Sequence, residues 1–209
     1  MILLAEDHSG WNMVDRSELT SGIGFDAIWW SEWYHQLIGD SDQDSAKAHL
    51  LREAGFGSDK PLAMDTFGKM VLGAPGKVVY HESHDESGNS ANSARNIRVA
   101  VNDMLVDDAR QWAEARRRVT AGLTLLSAGT PMFFMGEEVC ASEPYRYSDF
   151  LEHREDYQAL REGSGAGMFA YYRDVIRLRL DKAALRSPLV EVIKVHDQDR
   201  VIAYRRWWN

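Results

Sequence analysis

The chain has 209 residues, 44% of them hydrophobic and 11% aromatic, so it is long enough to bury one sizeable core. Its formal net charge of −8 argues against a broad nucleic-acid surface, which needs clustered lysine and arginine, and no apolar run approaches the roughly 18 residues of a membrane span. The single cysteine, Cys140, excludes an intramolecular disulfide and favours a reducing, cytoplasmic compartment.

The first predicted element is a short buried strand, ILLAED, whose apolar run ends in Glu6 and Asp7. A loop rich in glycine and serine follows over 8–24. The segment FDAIWWSEWYHQLIGD, 25–40, places apolar residues near one helical face and predicts a helix with Gly39 past its end. Two shorter helices are predicted in this half of the chain, over 45–55 and 64–76.

A second strand, KVVYHESHDE, again ends in acidic residues, and a polar loop follows it. The next segment, 108–129, predicts a long helix because apolar residues recur at spacings of three and four. The residues expected to face inward on that helix are Trp112, Ala115, Val119, Leu123 and Leu126.

The last third of the chain begins with TPMFFMGEE, a third predicted strand that ends in acidic residues. A helix is predicted over 164–185, with Ser164 as its N-cap. The residues expected inward on this helix are Met168, Tyr172, Val175 and Ile176. Two alternating strands around a His-Asp-Gln-Asp turn predict a β-hairpin over 189–208.

Strands that alternate with helices indicate an α/β fold with a parallel sheet. Three strand ends carry the acidic sequences AED, SHDE and GEE. Because active sites of (β/α)8 barrels lie at the carboxyl ends of the strands, these acids are candidates for one shared cleft.

The stretch HESHDE, 81–86, also raises the question of a metal site. His81 and His84 do not share a face on a strand, where side chains alternate with a period of two, and no further His or Cys pair follows at zinc spacing. We therefore predict neither metal nor cofactor. Carboxylate chemistry remains, and cleavage of a glycoside needs two carboxyl groups across one cleft, for which Glu6 and Asp85 are candidates.

Four motifs in order, ILLAEDHSGW, GFDAIWWSEW, KVVYHESHDESGN and SAGTPMFFMGEE, resemble the 1,4-alpha-glucan branching enzymes of glycoside hydrolase family 13, the alpha-amylase superfamily. The resemblance implies the second half of a (β/α)8 TIM barrel, strands five to eight, over 1–187. It also implies the start of a truncated C-terminal β-domain over 188–209. FDAIWW would then be the sixth strand, which competes with the helix predicted there.

The resemblance implies roles for five residues. Glu6 matches the general acid/base, and Asp85 matches the carboxylate that binds sugar hydroxyls and stabilises the transition state. His84 matches a histidine that hydrogen-bonds the same sugar. Trp11 could stack on a sugar face or merely close its loop, and Glu138 matches a glutamate of the eighth strand.

The family's nucleophile, an aspartate after the fourth strand, would lie before Met1, so we expect the chain alone to be inactive. The expected substrate is an α-1,4-glucan such as glycogen, starch or amylose, and the expected reaction is retaining transfer that forms α-1,6 branches. An amylase-like hydrolase and a non-catalytic glucan-binding fragment remain alternatives. A half barrel also exposes a strand edge, from which we expect self-association.

Overall fold

The computed structural model of the chain describes residues 1–9, 11, 13–39, 47–90, 93–152 and 154–209. Its centre is a four-stranded sheet in which neighbours in sequence are neighbours in space and every pair is parallel. In chain order the strands are β1 (Leu4–Ala5), β2 (Ala27–Trp29), β3 (Lys77–Val79) and β4 (Thr130–Pro131). The predicted parallel α/β architecture is therefore confirmed, and all four carboxyl ends meet at one edge of the sheet.

Helices connect and cover these strands. They are α1 (Ser31–Leu37), α2 (Leu50–Gly55), α3 (Met64–Gly73), α4 (Asn96–Val99), α5 (Asp107–Leu125), α6 (Tyr157–Glu162) and α7 (Ala166–Asp181). Short 3-10 turns occur at Glu18–Thr20, Glu137–Val139 and Ala183–Leu185. Within the described residues, none of these helices combines the length and apolar character that crossing a membrane requires.

The helix predicted over 25–40 is wrong in its first part, where the competing strand is correct. Ala27 pairs with Leu4 on one side, and Trp29 pairs with Val78 on the other, so this segment is a central strand of the sheet. The β-branched and aromatic residues of AIWW suit a strand, and pairing with neighbours on both sides outweighs the helical spacing. The helix begins only at Ser31.

The inward face predicted for the long helix α5 is wrong in its first half. Trp112 and Val119 are 58% and 61% exposed, whereas Ala113 and Ala121 are completely buried. Small residues let α5 approach its neighbours closely, and Nε1 of Trp33 on α1 donates to Oγ1 of Thr124 at 3.0 Å. At the end of α5 the prediction is correct, because Leu123 and Leu126 are partly buried against the core.

The other helices and the hairpin follow the predictions more closely. On α7, Met168, Tyr172 and Val175 are buried as expected, but the N-cap is Gly165 rather than Ser164. Strand β5 (Val190–His196) pairs antiparallel with β6 (Val201–Arg206), with a register shift between Val192 and Lys194. The predicted division of the chain into domains at 187/188 stays a prediction.

The main core lies between the sheet and the helices. It is rich in aromatic side chains, and the completely buried ones include Trp33, Tyr34, Phe67 and Tyr80. The hairpin joins this core through α3, since a Cβ atom built on Gly68 would lie 3.1 Å from Cγ1 of Val195. The core thus holds the sheet in place, and the acidic residues lie at the carboxyl edge of that sheet.

Candidate active site

Two of the acidic strand ends meet through their side chains. Glu6 follows β1 directly, and the turn after β3 carries His84 and Asp85. Nε2 of His84 lies 3.6 Å from Oε1 of Glu6 and 3.8 Å from Oδ1 of Asp85. The structure thus brings together three of the five predicted site residues, which we call the Glu6–His84–Asp85 cluster.

Aromatic side chains border this cluster. The ring of Trp29, at the end of β2, meets His84 edge-on with 5.9 Å between centroids. Tyr147 lies with its ring centroid 6.0 Å from that of His84, and its hydroxyl donates to Oδ1 of Asp85 at 2.7 Å. The cluster therefore combines two carboxylates, an imidazole and a phenol with a flat apolar ring.

The cluster is open to solvent. The side chains of Glu6, His84 and Asp85 are 42%, 36% and 44% exposed. Partial desolvation, together with the hydrogen bond to Asp85 and the charge of Asp85, raises the pKa of Tyr147 to about 12. Tyr147 consequently stays a proton donor to Asp85 at neutral pH, and a soluble ligand can reach both groups.

Hydrogen bonds within the loop hold His84 and Asp85 in place. Oγ of Ser83 accepts from the backbone N–H of Asp85 at 3.1 Å, and the Asp85 carbonyl accepts from the N–H of Asn89 at 3.0 Å. The Asn89 side-chain amide donates to the carbonyls of His84 and Tyr145. Asn89 therefore fixes the course of this loop through both its backbone and its side chain.

A buried polar network anchors the same loop from below. Nη1 of Arg95 lies 2.8 Å from Oε2 of Glu82, and Oε1 of Glu82 accepts from the backbone N–H of Asn96 at 2.5 Å. Nε2 of His81 lies 2.6 Å from Oε2 of Glu137, with both side chains completely buried. The two residues that open the turn are thus fixed by short polar contacts, Glu82 by its ion pair with Arg95 and His81 by its contact with Glu137.

Glu137 is the centre of this network. Its Oε2 also accepts from the hydroxyl of Tyr172 at 2.8 Å, and its Oε1 accepts from the backbone N–H of Phe134 at 2.7 Å. Burial alone would raise the pKa of Glu137, but His81 and the charge of Arg117 hold it below its ordinary value. A charged carboxylate is therefore stabilised inside the protein, as burial of an ion requires.

Two predicted site residues lie outside the cluster. Trp11 is 54% exposed on the loop after β1, where its backbone N–H donates to Oγ of Ser9. Glu138 accepts from the backbone N–H of Gly136 at 2.9 Å and so stabilises its own turn. Asp7 likewise accepts two hydrogen bonds from Ser9, which lower its pKa.

Sequence reasoning missed three functional neighbours. Trp29 lies in a segment with competing helix and strand predictions, Tyr147 lies 62 residues after Asp85, and the motif points to Glu138 rather than to Glu137. The one available signal for Tyr147 was the aromatic sequence YRY soon after the third acidic strand end. The sequence around Glu137 and Glu138 does not indicate that Glu137 is the buried residue and Glu138 the half-buried one.

The side chains of the cluster also lie close enough together to hold a cation. One ligand atom each from Glu6, His84 and Asp85 lies within 4.8 Å of the others. The side chains are half exposed, however, and such acidic groups commonly occur without an ion. The absence of a metal stays a prediction. The arrangement suits proton transfer and hydrogen bonding to hydroxyl-bearing ligands.

Similarity to known proteins is measurable over most of the chain, although no family model matches it. The chain is 37% identical to a malto-oligosyltrehalose trehalohydrolase of Saccharolobus solfataricus in an alignment of 178 positions that covers 78% of the chain and 29% of that protein. It is 25% identical to a 1,4-alpha-glucan branching enzyme GlgB of Methylococcus capsulatus over 99% of the chain and 26% of that protein. The chain thus spans less than a third of the length of both relatives.

Solved structures extend the similarity to the fold. A pullulanase type I from Bacillus subtilis, complexed with maltose, superposes with a TM-score of 0.67 at 17% identity, covering 99% of the chain and 30% of that structure. The homologues are enzymes of the alpha-amylase family, glycoside hydrolase family 13. The chain therefore has the fold of one part of an alpha-amylase-type barrel, as predicted.

Proposed function

We propose that this chain is the acid/base-bearing half of the catalytic barrel of an α-glucan-processing enzyme, and specifically of a 1,4-alpha-glucan branching enzyme. The observation that carries the proposal is the convergence of Glu6, His84 and Asp85 from two different strand ends. These residues occupy the motif positions at which the resembling family has its acid/base, histidine and third carboxylate. Homology to a branching enzyme over 99% of the chain supports it.

In the proposed mechanism Glu6 protonates the leaving glucosyl oxygen while an aspartate from the other half of the parent barrel bonds to the anomeric carbon. Glu6 then takes the proton of the acceptor hydroxyl as that hydroxyl displaces the aspartate. Asp85 binds sugar hydroxyls and stabilises the positive charge that develops at the anomeric carbon. Tyr147 keeps Asp85 oriented through its hydrogen bond. His84 lies between the two carboxylates and donates to the same sugar.

The proposed substrate is an α-1,4-glucan. A cluster that combines open carboxylates with aromatic rings suits a sugar, which presents hydroxyl groups at its rim and an apolar face. Trp29 and Tyr147 supply such rings beside His84, and exposed Trp11 is proposed as a further stacking surface. Glu138 is proposed to orient its turn near the substrate, and the maltose complex of the pullulanase supports the choice of ligand class.

Hydrolysis is a second candidate function, because the relative with the higher identity is named a trehalohydrolase. The two functions differ in the acceptor, which is a glucan hydroxyl in branching and water in hydrolysis. The test is the action of the parent enzyme on amylose and on malto-oligosyltrehalose. New α-1,6 branch points without new reducing ends are expected. Free trehalose, or new reducing ends alone, would instead support hydrolysis.

By itself, the chain is proposed to bind glucan without cleaving it, since the resemblance assigns no nucleophile to any of its residues. Titration calorimetry with maltoheptaose is expected to show binding that Asp85→Asn weakens. Glu191→Gln, an exposed glutamate on the distant hairpin, is the matched control and is expected to leave binding unchanged. Release of any sugar by the isolated chain would contradict the proposed inactivity, and absence of binding heat would contradict glucan binding.

A further inference from the structure

A second cleft, separate from the Glu6–His84–Asp85 cluster, is lined mainly by positive charge. It has a volume of about 500 Å³, and among the described residues that line it four of eight are arginines, namely Arg52, Arg95, Arg98 and Arg146. They come from α2, from α4 and the residue before it, and from the loop that carries Tyr147. In a chain with 32 acidic and 24 basic residues, such a concentration of guanidinium groups contrasts with the overall charge.

The arginines of this cleft, which we call the arginine cleft, differ in how their donors are used. Arg95 is almost fully committed: four of its five N–H groups bond to Glu82, Tyr157 and two backbone carbonyls. Arg95 therefore provides a fixed positive charge rather than free donors. Its burial opposes charge, yet Glu82 keeps the pKa of Arg95 above its ordinary value.

Arg52 has donors to offer. Nε of Arg52 donates to the carbonyl of Gly39 at 3.0 Å, which fixes the plane of the guanidinium. Among the described residues, its two terminal amino groups have no recorded hydrogen-bond partner. A guanidinium that is held at Nε and presents two terminal amino groups suits bidentate binding of a phosphate.

The terminal amino groups of Arg98 and Arg146 make weaker contacts. Nε of Arg98 is fixed, since it donates to the Ser142 carbonyl at 2.7 Å, but its Nη2 lies 3.3 Å from Glu143 in a half-exposed pair. Nη1 of Arg146 lies 3.6 Å from Asp149, and the Arg146 side chain is 50% exposed. Exposed ion pairs contribute little to stability, so a dianion can replace them and bind the terminal amino groups of three arginines.

Polar groups beside the arginines indicate the rest of the ligand. Asp103 is the one acidic residue among the described lining residues, and Ser93 adds a hydroxyl. A carboxylate repels a bare anion but accepts hydrogen bonds from hydroxyl groups. A ligand with a phosphate at one end and hydroxyls at the other can bind both the arginines and Asp103. A cleft of this size suits a small molecule.

We propose that the arginine cleft binds a small phosphorylated sugar, with the phosphate on Arg52, Arg98 and Arg146 and the hydroxyls toward Asp103. This proposal does not rest on the function proposed for the carboxylate cluster. The test is calorimetric titration of the chain, at low ionic strength, with glucose 6-phosphate, inorganic phosphate and glucose. Saturable binding of glucose 6-phosphate is expected, tighter than that of inorganic phosphate, with no comparable binding of glucose.

Variants localise the binding. Arg146→Gln is expected to weaken glucose 6-phosphate binding by about tenfold, the loss of one charge-assisted contact. Arg52→Gln is expected to weaken this binding similarly. If loss of the contact with Gly39 unfolds Arg52→Gln, the test rests on Arg146→Gln. Arg173→Gln, an arginine of α7 that is 65% exposed, is the matched control and is expected to change nothing.

Three results would overturn the proposal. They are an absence of saturable binding by glucose 6-phosphate, an affinity that Arg146→Gln leaves unchanged, and glucose binding as tight as that of glucose 6-phosphate. Equal affinities for inorganic phosphate and glucose 6-phosphate would overturn the proposal that the sugar hydroxyls contribute to binding. Asp103→Asn provides a check with the opposite sign, because removing the acid is expected to tighten inorganic phosphate binding.

Discussion

Tyr147 and Asp85 show how one contact defines the chemistry of a residue in the candidate site. The phenol hydroxyl donates to the carboxylate at 2.7 Å although the two residues are 62 positions apart. Ionisation of the phenol would place two negative charges side by side, so the proton is retained. A pairing over this sequence separation leaves no local pattern, and sequence reasoning consequently found Asp85 but not its partner.

The titration of Tyr147 is a first prediction. Its pKa of about 12 lies above the ordinary value of 10.0, so its contribution to stability is present below pH 10 and is lost as the pH rises toward 12. Absorbance titration should show one phenolate signal near pH 12 that Tyr147→Phe removes. Asp85→Asn is expected to lower the pKa of Tyr147. An unchanged titration curve in Asp85→Asn would contradict the assignment.

A second prediction concerns Glu137 and its neighbour. Glu137→Gln is expected to destabilise the chain by about 3–5 kcal/mol, because it leaves His81 and Arg117 without their buried counter-charge. The pKa of Glu137 is lowered in the folded chain, so its contribution is present above about pH 4.5 and is lost as the pH falls through the folded value. Urea denaturation at several pH values measures both effects.

Glu138→Gln is the matched control for this prediction. Glu138 is half-buried and accepts one backbone hydrogen bond, so its loss should cost only about 1 kcal/mol. Equal destabilisation by the two substitutions would show that the buried contact between His81 and Glu137 contributes no more to stability than the single hydrogen bond of Glu138. The comparison matters because Glu138 was the residue that the sequence motif favoured.

At the scale of elements, the sequence predicted the order of the strands well, and their ends and the helix faces less well. The predicted strands run through their acidic residues, but β3 ends at Val79 and β4 at Pro131, so the acids lie in turns after the strands. For α5, hydrophobicity favoured Trp112 and Val119, whereas the packed face includes small residues such as Ala113 and Ala121. Close approach of neighbouring elements, which decides that face, is a property of the assembled fold.

The packing of α5 provides a third prediction. Ala121→Leu is expected to destabilise the chain by about 1–3 kcal/mol, because the added carbons have no space beside a completely buried Cβ. Val119→Thr, on the exposed face, should change the stability by no more than about 0.5 kcal/mol. Thermal or urea denaturation distinguishes the two. If Val119→Thr lowers the stability more than Ala121→Leu does, the face predicted from the apolar spacing would be the packed one.

At the scale of the whole molecule, the sheet has an open edge on each side. On β1 the edge is also apolar: Ile2 and Leu4 are 78% and 47% exposed. Unpaired backbone groups beside exposed apolar side chains promote pairing with another chain. The alternation of strands and helices was enough to predict the parallel sheet, whereas its open edge was expected from the resemblance to one half of a barrel.

Self-association of the isolated chain is a fourth prediction. Size-exclusion chromatography with light scattering is expected to show mass that increases with concentration, and Leu4→Lys should shift it toward the monomer by placing charge on the edge strand. Leu151→Lys, which alters an apolar residue that is 79% exposed on a loop, is the matched control and should have no effect. A monomer at every concentration would contradict the prediction.

The candidate site is also unevenly anchored. Glu6 follows a strand of two residues at the edge of the sheet, whereas Asp85 follows β3, which is paired on both sides. Local opening costs little free energy at sheet edges and approaches the global unfolding free energy in the core. Detachment of β1 would withdraw Glu6 from His84 and leave the loop of Asp85 whole. The fraction of time for which the first strand is paired therefore sets an upper limit on the population in which the Glu6–His84–Asp85 cluster is assembled.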